Sequence, residues 1–166
     1  MVLITLVGGA SVSFNRAFAS FGLADSVMRL GTLIDENTLM GIGAENSKNM
    51  FSAASYFANI QTDDAKAFAN SYAAKFGSDA AILNALSTSC YDGLTALDAI
   101  AERAGGLSVK EMDSVAEGTA FGSPRGDAVM KNRHLTLDIY LAEAIGTDFK
   151  IVKTFSKQEP GNFCKA

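Results

Sequence analysis

The residues of this chain that could do chemistry begin with a glycine-containing loop near its start. Gly8 and Gly9 follow an apolar run and precede Ala10 and Ser11, where a strand pattern gives way to a helix pattern. Glycines let a backbone approach a ligand closely, and a helix N-terminus offers free N–H groups. The loop lacks the dinucleotide and P-loop spacings. It therefore indicates either a plain tight turn or a small-ligand contact, with Ser11 expected to cap the helix.

Signatures of catalysis and of metal binding are absent from the sequence. The single histidine, His134, lies in a polar stretch that is expected to be a surface turn. No HExxH, GxSxG or paired-carboxylate pattern occurs, and Cys90 and Cys164 have neither CxxC nor metal-ligand spacing. We therefore expect no enzyme activity, no cofactor and no metal site. The two cysteines are interpreted as a core thiol and a tail thiol, with a disulfide left open because sequence does not reveal its geometry.

Composition and charge narrow the class of protein further. The chain has 166 residues, of which 48% are hydrophobic, and a net charge of −4. This length and apolar content suit one globular domain with a real core. The basic residues are scattered, which argues against a nucleic-acid partner. The first apolar run is short and no Lys or Arg precedes it, so we expect neither an export signal nor membrane insertion.

Strand and helix patterns alternate along the first two thirds of the chain. Short apolar runs predict strands at residues 1–7, 27–33 and 50–57, of which the second is the weakest. Helical periodicity predicts helices ending near Phe21, Phe76 and Ala104, and a short polar helix over residues 36–40. The clearest helix opens at Thr62, and another begins near Ser87. Ser108 and Glu111 have capping-box spacing for a further helix. This alternation indicates an α/β fold with parallel strands and flanking helices.

The last third of the chain has the pattern of a β-hairpin. Apolar and polar residues alternate over residues 135–141, a turn is expected over residues 144–148, and residues 149–155 predict a return strand. Residues 122–126 contain Gly, Ser and Pro and are expected to form a hairpin or crossover turn. Residues 156–166 are polar and are expected to be an irregular strap. Tyr91, near the start of a long helix, is expected to face a cleft or to be half-buried.

Four segments occur in an order that is similar to a known family. They read LITLVGGASVSFNRAF, SAASYFANIQTDDAKAFANSYAAKFG, CYDGLTALDAIAERAG and FGSPRGDAVMKNRHLTLDIYLAEAIGTDFKIVKTFSKQEPGNF. Together they resemble the C-terminal half of type I solute-binding proteins, and within these the receptors for urea and short-chain amides. The resemblance covers nearly the whole chain and rests on the order and spacing of the segments.

The resemblance implies a partial two-lobed receptor whose lobes close over a ligand by hinge motion. It implies one truncated receptor-like domain, in which residues 1–55 are second-lobe-like, 56–121 are first-lobe-like helices, and 122–166 form a crossover, hairpin and tail. Residues 56–62 resemble a crossover near the hinge. The ligand-binding residues that it implies are Gly8, Gly9, Ala10 and Ser11 in one cleft loop, Thr32 and Asp35 in another, Tyr56 near the hinge, and Tyr91 on the first-lobe side.

Two functions from different classes follow from the resemblance. The first is a urea- or amide-binding module derived from a transporter receptor or an amide sensor. The alternative is a non-enzymatic oligomeric interaction protein that has lost ligand binding. Because family members are much longer than this chain, strand edges and apolar faces would lack cover. A homodimer, with or without exchanged elements, is therefore expected, and the alternatives are a rearranged compact α/β domain and a fragment of a longer gene product. The location is expected to be cytoplasmic for the chain as given, and periplasmic if it is part of a longer exported receptor.

Overall fold

The computed structural model describes residues 1–161, which form a mixed α/β fold. The strands are β1 (Val2–Ile4), β2 (Arg29–Gly31), β3 (Met50–Ala54), β4 (Ala120–Ser123), β5 (Gly126–Lys131), β6 (His134–Ile145) and β7 (Asp148–Gln158). The α-helices are α1 (Gly8–Ser20), α2 (Glu36–Ile42), α3 (Asp63–Phe76), α4 (Ala85–Ala104) and α5 (Val109–Ala116). The parallel strands, the flanking helices and the C-terminal hairpin confirm the fold class predicted from sequence.

All the strands belong to one sheet in the order β1-β2-β3-β6-β5-β4, with β7 paired to β6. β1, β2 and β3 run parallel, whereas the remaining pairings are antiparallel. β6 is long enough, at 12 residues, to pair with β5 near its start and with β3 near its end. Because β1–β3 are parallel, their carboxyl ends lie at one edge, where α/β folds bind ligands.

Helix starts follow side-chain caps at some positions and not at others. The Thr62 hydroxyl accepts from the Ala65 N–H and opens α3, as predicted. α4 has a capping box in which Asn84 and Ser87 bond reciprocally. The predicted box at Ser108 is wrong, because Ser108 precedes α5 without a side-chain cap bond among the described residues. The predicted Ser11 cap is also wrong, because α1 already begins at Gly8.

The main core packs the helices against β1–β3 and the hairpin of β6 and β7. Its buried members include Ile34 from the loop after β2, Leu39 from α2 and Met50 from β3. Tyr56 and Phe57 were predicted to end the third strand, but that strand ends at Ala54. Both side chains instead enter the core from the chain beyond the strand, where Phe57 packs on Phe149 with ring centroids 4.8 Å apart.

Some predictions about the second half of the chain need correction. Of the two alternatives for residues 122–126, the structure shows a hairpin turn, between β4 and β5; these two strands were not predicted, because they lack strong alternation. β7 continues to Gln158, so the start of the expected irregular strap is strand. Cys90 is exposed on α4 and is not a core thiol, while Cys164 lies outside the described residues. Among the helices of residues 1–161, none combines the length and apolar character needed to cross a bilayer.

Candidate functional site

The loop after β1 presents backbone donors at the carboxyl edge of the parallel strands. Gly8, Gly9 and Ala10 are exposed in the first turn of α1, and Gly8 has a positive φ of 56°. Val7 is the N-cap, and within residues 1–161 no side chain caps this helix. The first turn also contains no acidic residue. The N–H groups of this turn are therefore available to an acceptor on a ligand.

The loop after β2 lies beside it and carries the next two predicted site residues. Thr32 is exposed, and its backbone N–H donates to the Ile4 carbonyl at 3.2 Å, which joins this loop to the end of β1. The Asp35 carboxylate accepts from the Thr38 N–H at 2.8 Å and so caps α2. Asp35 is thus already engaged by its own helix, whereas the Thr32 side chain faces solvent.

Ser11 lies below this edge and supports it from inside. It is fully buried, and its carbonyl accepts from the Asn15 side chain at 2.9 Å. The Asn15 oxygen in turn accepts from the buried guanidinium of Arg29 at 2.9 Å. Arg29 also donates to the carbonyls of Asn46 and Lys48 at 2.8 and 2.6 Å. The structure therefore places Ser11 in a polar network under α1, separate from its exposed loop neighbours.

Tyr56 follows β3 and lies in the segment that connects β3 to α3, residues 55–62, called here the connecting segment. Its side chain is 1% exposed. Burial raises the pKa of the Tyr56 hydroxyl; the Glu36 carboxylate raises it further, and the Arg125 charge opposes both effects. The Tyr56 hydroxyl is thus within electrostatic range of the Glu36 carboxylate and of the Arg125 guanidinium, both of which are buried.

A buried ion pair joins the turn between β4 and β5 to α4. Arg125 Nε lies 3.0 Å from Asp92 Oδ2, and both side chains are almost completely buried. Arg125 also donates to the Ala85 carbonyl at 3.2 Å and to the hydroxyl oxygens of Ser55 and Ser89. Burial raises the pKa of Asp92, which the Ser123 hydroxyl and the Arg125 charge counteract. The two opposite charges therefore neutralise each other inside the protein, and neither is exposed to a ligand.

Glu36 is the second buried acid near the connecting segment. It is 4% exposed, and its Oε1 accepts from the Ala58 N–H at 2.7 Å. Its Oε2 finds no hydrogen-bond partner among residues 1–161. Burial raises the pKa of Glu36 to about 7, against the lowering effect of the Ala58 N–H and its own backbone N–H. Asp35 raises it slightly more.

Tyr91 belongs to a different surface, an open groove of about 620 Å³ between α3, α4 and the end of β4. Its ring packs on Phe68 with centroids 4.7 Å apart. The groove walls are mainly aromatic and aliphatic, and they include Phe68, Tyr72, Phe76, Leu83, Tyr91 and Pro124. Pro124, in the wall of this groove, is followed by Arg125. The Arg125 guanidinium donates to the hydroxyl oxygen of Ser55, the residue before Tyr56. The β4–β5 turn therefore connects the groove of Tyr91 to the segment of Tyr56.

The structure thus brings Gly8, Gly9, Ala10, Thr32 and the start of the connecting segment to neighbouring loops at one sheet edge. The loops after β1 and β2 contribute no residue to the walls of the Tyr91 groove.

Sequence reasoning missed the buried partners, Glu36, Arg125 and Asp92. Composition marks Arg125 only as a turn residue and Asp92 only as a helix residue, because burial of a charge depends on distant packing. Within residues 1–161, no group of three or more His, Cys, Asp and Glu side chains could hold a metal ion.

The comparisons with known proteins agree with this architecture. One similar structure is a solute-binding protein of an ABC transporter from Rhodopseudomonas palustris HaA2, in complex with p-hydroxybenzoic acid, with a TM-score of 0.81 and 24% identity. Another is a solute-binding protein from R. palustris in complex with benzoate, with a TM-score of 0.78 and 19% identity. A third is a leucine-binding protein from Thermotoga maritima MSB8, with a TM-score of 0.76 and 17% identity. At these identities the likeness is one of fold.

The alignments cover this chain almost fully but its relatives only in part. They span 96%, 92% and 93% of this chain, and 46%, 42% and 44% of those three chains. The chain therefore spans less than half the length of the solved structures that it matches. No curated protein sequence matches it significantly. A family model described as periplasmic binding protein matches residues 1–148, and the chain therefore belongs to the periplasmic binding protein family.

Proposed function

We propose that the chain binds a small neutral polar solute, of the urea or short-chain amide class, as part of a periplasmic receptor and without catalysing a reaction. The observation that carries this proposal is the edge formed by the loops after β1 and β2. It offers free N–H groups at Gly8–Ala10 and the exposed hydroxyl of Thr32. Urea and amides have a carbonyl acceptor and N–H donors, which match such backbone and hydroxyl groups.

The charges near this edge support a neutral ligand. Asp35 caps its own helix, and Arg125 is paired with Asp92. Arg29 lies at the opposite, amino end of β2, where its guanidinium donates to the Asn46 and Lys48 carbonyls. An ionic ligand gains most from an opposite charge that is exposed and unpaired. A neutral solute needs no such partner, so the engaged charges near this edge favour it.

The lobe assignment belongs to the same proposal. We assign residues 1–55 to the second lobe, 56–121 to helices that complete the first lobe, and 122–166 to the last crossover, the hairpin and the tail. The long β6, which pairs with both β3 and β5, supports a crossover role, since it joins the parallel strands to the β4–β5 hairpin. In this arrangement Tyr56 stands near the hinge and Tyr91 contributes from the first-lobe side.

Carboxylate ligands are the competing class at this edge. The structures described above include complexes with benzoate and with p-hydroxybenzoic acid. An uncapped helix N-terminus attracts anions, and α1 has 13 residues with no acid in its first turn. The decisive comparison is therefore between uncharged amides and aromatic carboxylates on the same protein.

Isothermal titration calorimetry with millimolar urea, acetamide, benzoate, 4-hydroxybenzoate and leucine tests the proposal. We expect acetamide or urea to bind, and Thr32→Val to weaken binding because it removes the hydroxyl while conserving shape. Thr32→Ser, which keeps the hydroxyl, is the matched control. If benzoate binds and neither urea nor acetamide does, the proposed ligand class is wrong. If none of the five solutes produces a binding signal, the proposal that this chain binds a solute is wrong.

The second candidate function is an oligomeric interaction protein, and the surface of α4 favours it. Leu86, Leu94 and Leu97 are all exposed, and Leu94 is 71% exposed. Exposed apolar surface of this kind is characteristic of faces that become covered by another protein surface. A homodimer, with or without exchanged elements, would cover it. Sedimentation velocity at micromolar concentration decides the matter: a dimer supports this function, and a monomer rules it out.

A further inference from the structure

The connecting segment is held from two sides by side chains that carry buried charges. From one side, Arg125 of the β4–β5 turn donates to the hydroxyl oxygen of Ser55, the first residue of the segment. From the other, Glu36 of α2 accepts the backbone N–H of Ala58 at 2.7 Å. Tyr56 lies between these two contacts in sequence, and both charges act on the pKa of its hydroxyl, in opposite directions. We propose that Glu36 and Arg125 form a clamp that positions the hinge of the receptor, and with it Tyr56.

The inference deepens the proposed function, since it names the device that would govern how the lobes of that receptor orient around the ligand. A hinge is a short stretch at the end of an element that absorbs changes in backbone angles. The connecting segment fits this description because β3 ends at Ala54 and α3 begins at Asp63. Whatever fixes residues 55–58 therefore sets the direction in which the chain leaves the sheet.

Arg125 is suited to this role because one guanidinium contacts three parts of the chain. It holds the connecting segment through Ser55, the first turn of α4 through the Ala85 carbonyl, and the next turns through Ser89 and Asp92. A planar guanidinium has five N–H donors in a fixed geometry, which makes such simultaneous contacts specific. Moving the segment away from α4 would separate a buried donor from its acceptor. That separation is costly where water is excluded.

Glu36 supplies the opposite half of the clamp. It lies in the first turn of α2, and this helix is fixed by its Asp35 cap and by the buried Leu39 and Ile42. The Glu36 carboxylate is therefore a rigid acceptor for the Ala58 N–H. The segment is further tied at Asn59, whose side chain donates to the Phe149 carbonyl of β7. The clamp lies upstream of this tie and acts on the residues that flank Tyr56.

Amide hydrogen exchange of Ala58 and Ile60 measures the Arg125 half of the clamp without any ligand. Ser55→Ala removes the contact to the segment and leaves the Asp92 pair in place, and we expect about tenfold faster exchange at both amides. Ser55→Thr, which keeps the hydroxyl, should restore slow exchange. Ser89→Ala is the matched control, because it removes a contact of the same guanidinium to α4 only. Equal effects of Ser55→Ala and Ser89→Ala, or no effect of either, would overturn the proposal.

The Glu36 half is tested by a second pair of variants. Glu36→Ala removes the acceptor and should speed exchange at Ala58, while Glu36→Gln keeps an acceptor oxygen and should preserve protection. Global stability from denaturant unfolding distinguishes local release from general loosening, so faster exchange in every core amide would contradict a local clamp. Where acetamide binds the wild type, Ser55→Ala should weaken it and Ser89→Ala should not. If acetamide does not bind, the exchange data still decide the clamp, so the two proposals fail separately.

Discussion

Replacing Glu36 by Gln should stabilise the protein at neutral and alkaline pH and leave it nearly unchanged in acid. Burial raises the pKa of Glu36 from 4.5 to about 7, because its carboxylate is enclosed and Oε2 has no partner among the described residues. Gln has the same shape and keeps an oxygen for the Ala58 N–H, but it never ionises. The variant therefore isolates the cost of the buried negative charge.

The size of the effect follows from the shift in proton affinity. Each tenfold change in the proton-binding constant, which is one pKa unit, corresponds to about 1.4 kcal/mol. A rise from 4.5 to about 7 therefore corresponds to about 3 kcal/mol. Because the folded protein binds this proton more tightly than the unfolded chain, the contribution is fully present below pH 4.5 and is lost as pH rises through about 7. The free energy of unfolding of the wild type should fall over this window relative to the variant.

Guanidinium unfolding of both proteins, from about pH 4 to pH 8.5, provides the measurement. The two curves should coincide in acid and separate progressively above about pH 5, with the Gln variant the more stable. Glu45→Gln removes a carboxylate at an exposed position and serves as the control for the change in net charge. A difference between Glu36→Gln and wild type that stays constant with pH, or that favours the wild type at pH 8, would refute the reasoning.

Four further predictions concern the stability of the fold around the candidate site. Arg29→Met should lower the free energy of unfolding by about 2 to 4 kcal/mol, because three oxygens lose their charged donor. Denaturant titrations measure this loss, and a value below about 1 kcal/mol would contradict the prediction. Asn84→Ala should cost about 1 kcal/mol by removing the α4 cap, seen as a lower melting temperature. Gly31→Ala should cost about 1 to 3 kcal/mol, since a Cβ there would lie 2.5 Å from the Ile34 side chain. Gly9→Ala meets nothing within 4 Å and should be close to neutral in the same assay.

The sequence predicted those elements whose pattern is set locally. The helix at Thr62 is an example, because its cap hydroxyl, its first-turn acids and its terminal Gly77 all lie within one short stretch. The hairpin of β6 and β7 is another, since alternation and a glycine turn mark it. The start of α1 was misjudged because Ser11 looks like a cap in isolation. Its burial against Asn15 depends on Arg29, which arrives from a strand that is distant in sequence.

The exposed and the buried parts of the candidate site differ in what the sequence reveals of them. The glycines between a strand and a helix drew attention to residues 8–10, whereas Thr32 was predicted only through the resemblance to solute-binding proteins. Arg125 could not be recognised from its Pro-Arg-Gly context, since turns with exposed arginines share that composition. Its role requires Ser55, 70 positions away in the sequence, and the turns of α4 to meet around it. Long-range packing of this kind leaves no trace in periodicity or spacing.

The two buried arginines show how the fold can enclose positive charge without exposing it to a ligand. Arg125 has a carboxylate partner, so its pair is neutral and fixes position more than it attracts ligands. Within residues 1–161, Arg29 makes no ion pair with an acid, and its donors go to amide and carbonyl oxygens instead. Burial lowers the pKa of Arg29, yet a guanidinium remains charged in such surroundings. Both guanidinium groups are thus committed to holding loops, and in the function proposed above recognition is assigned to the N–H groups of α1 and to the hydroxyl of Thr32.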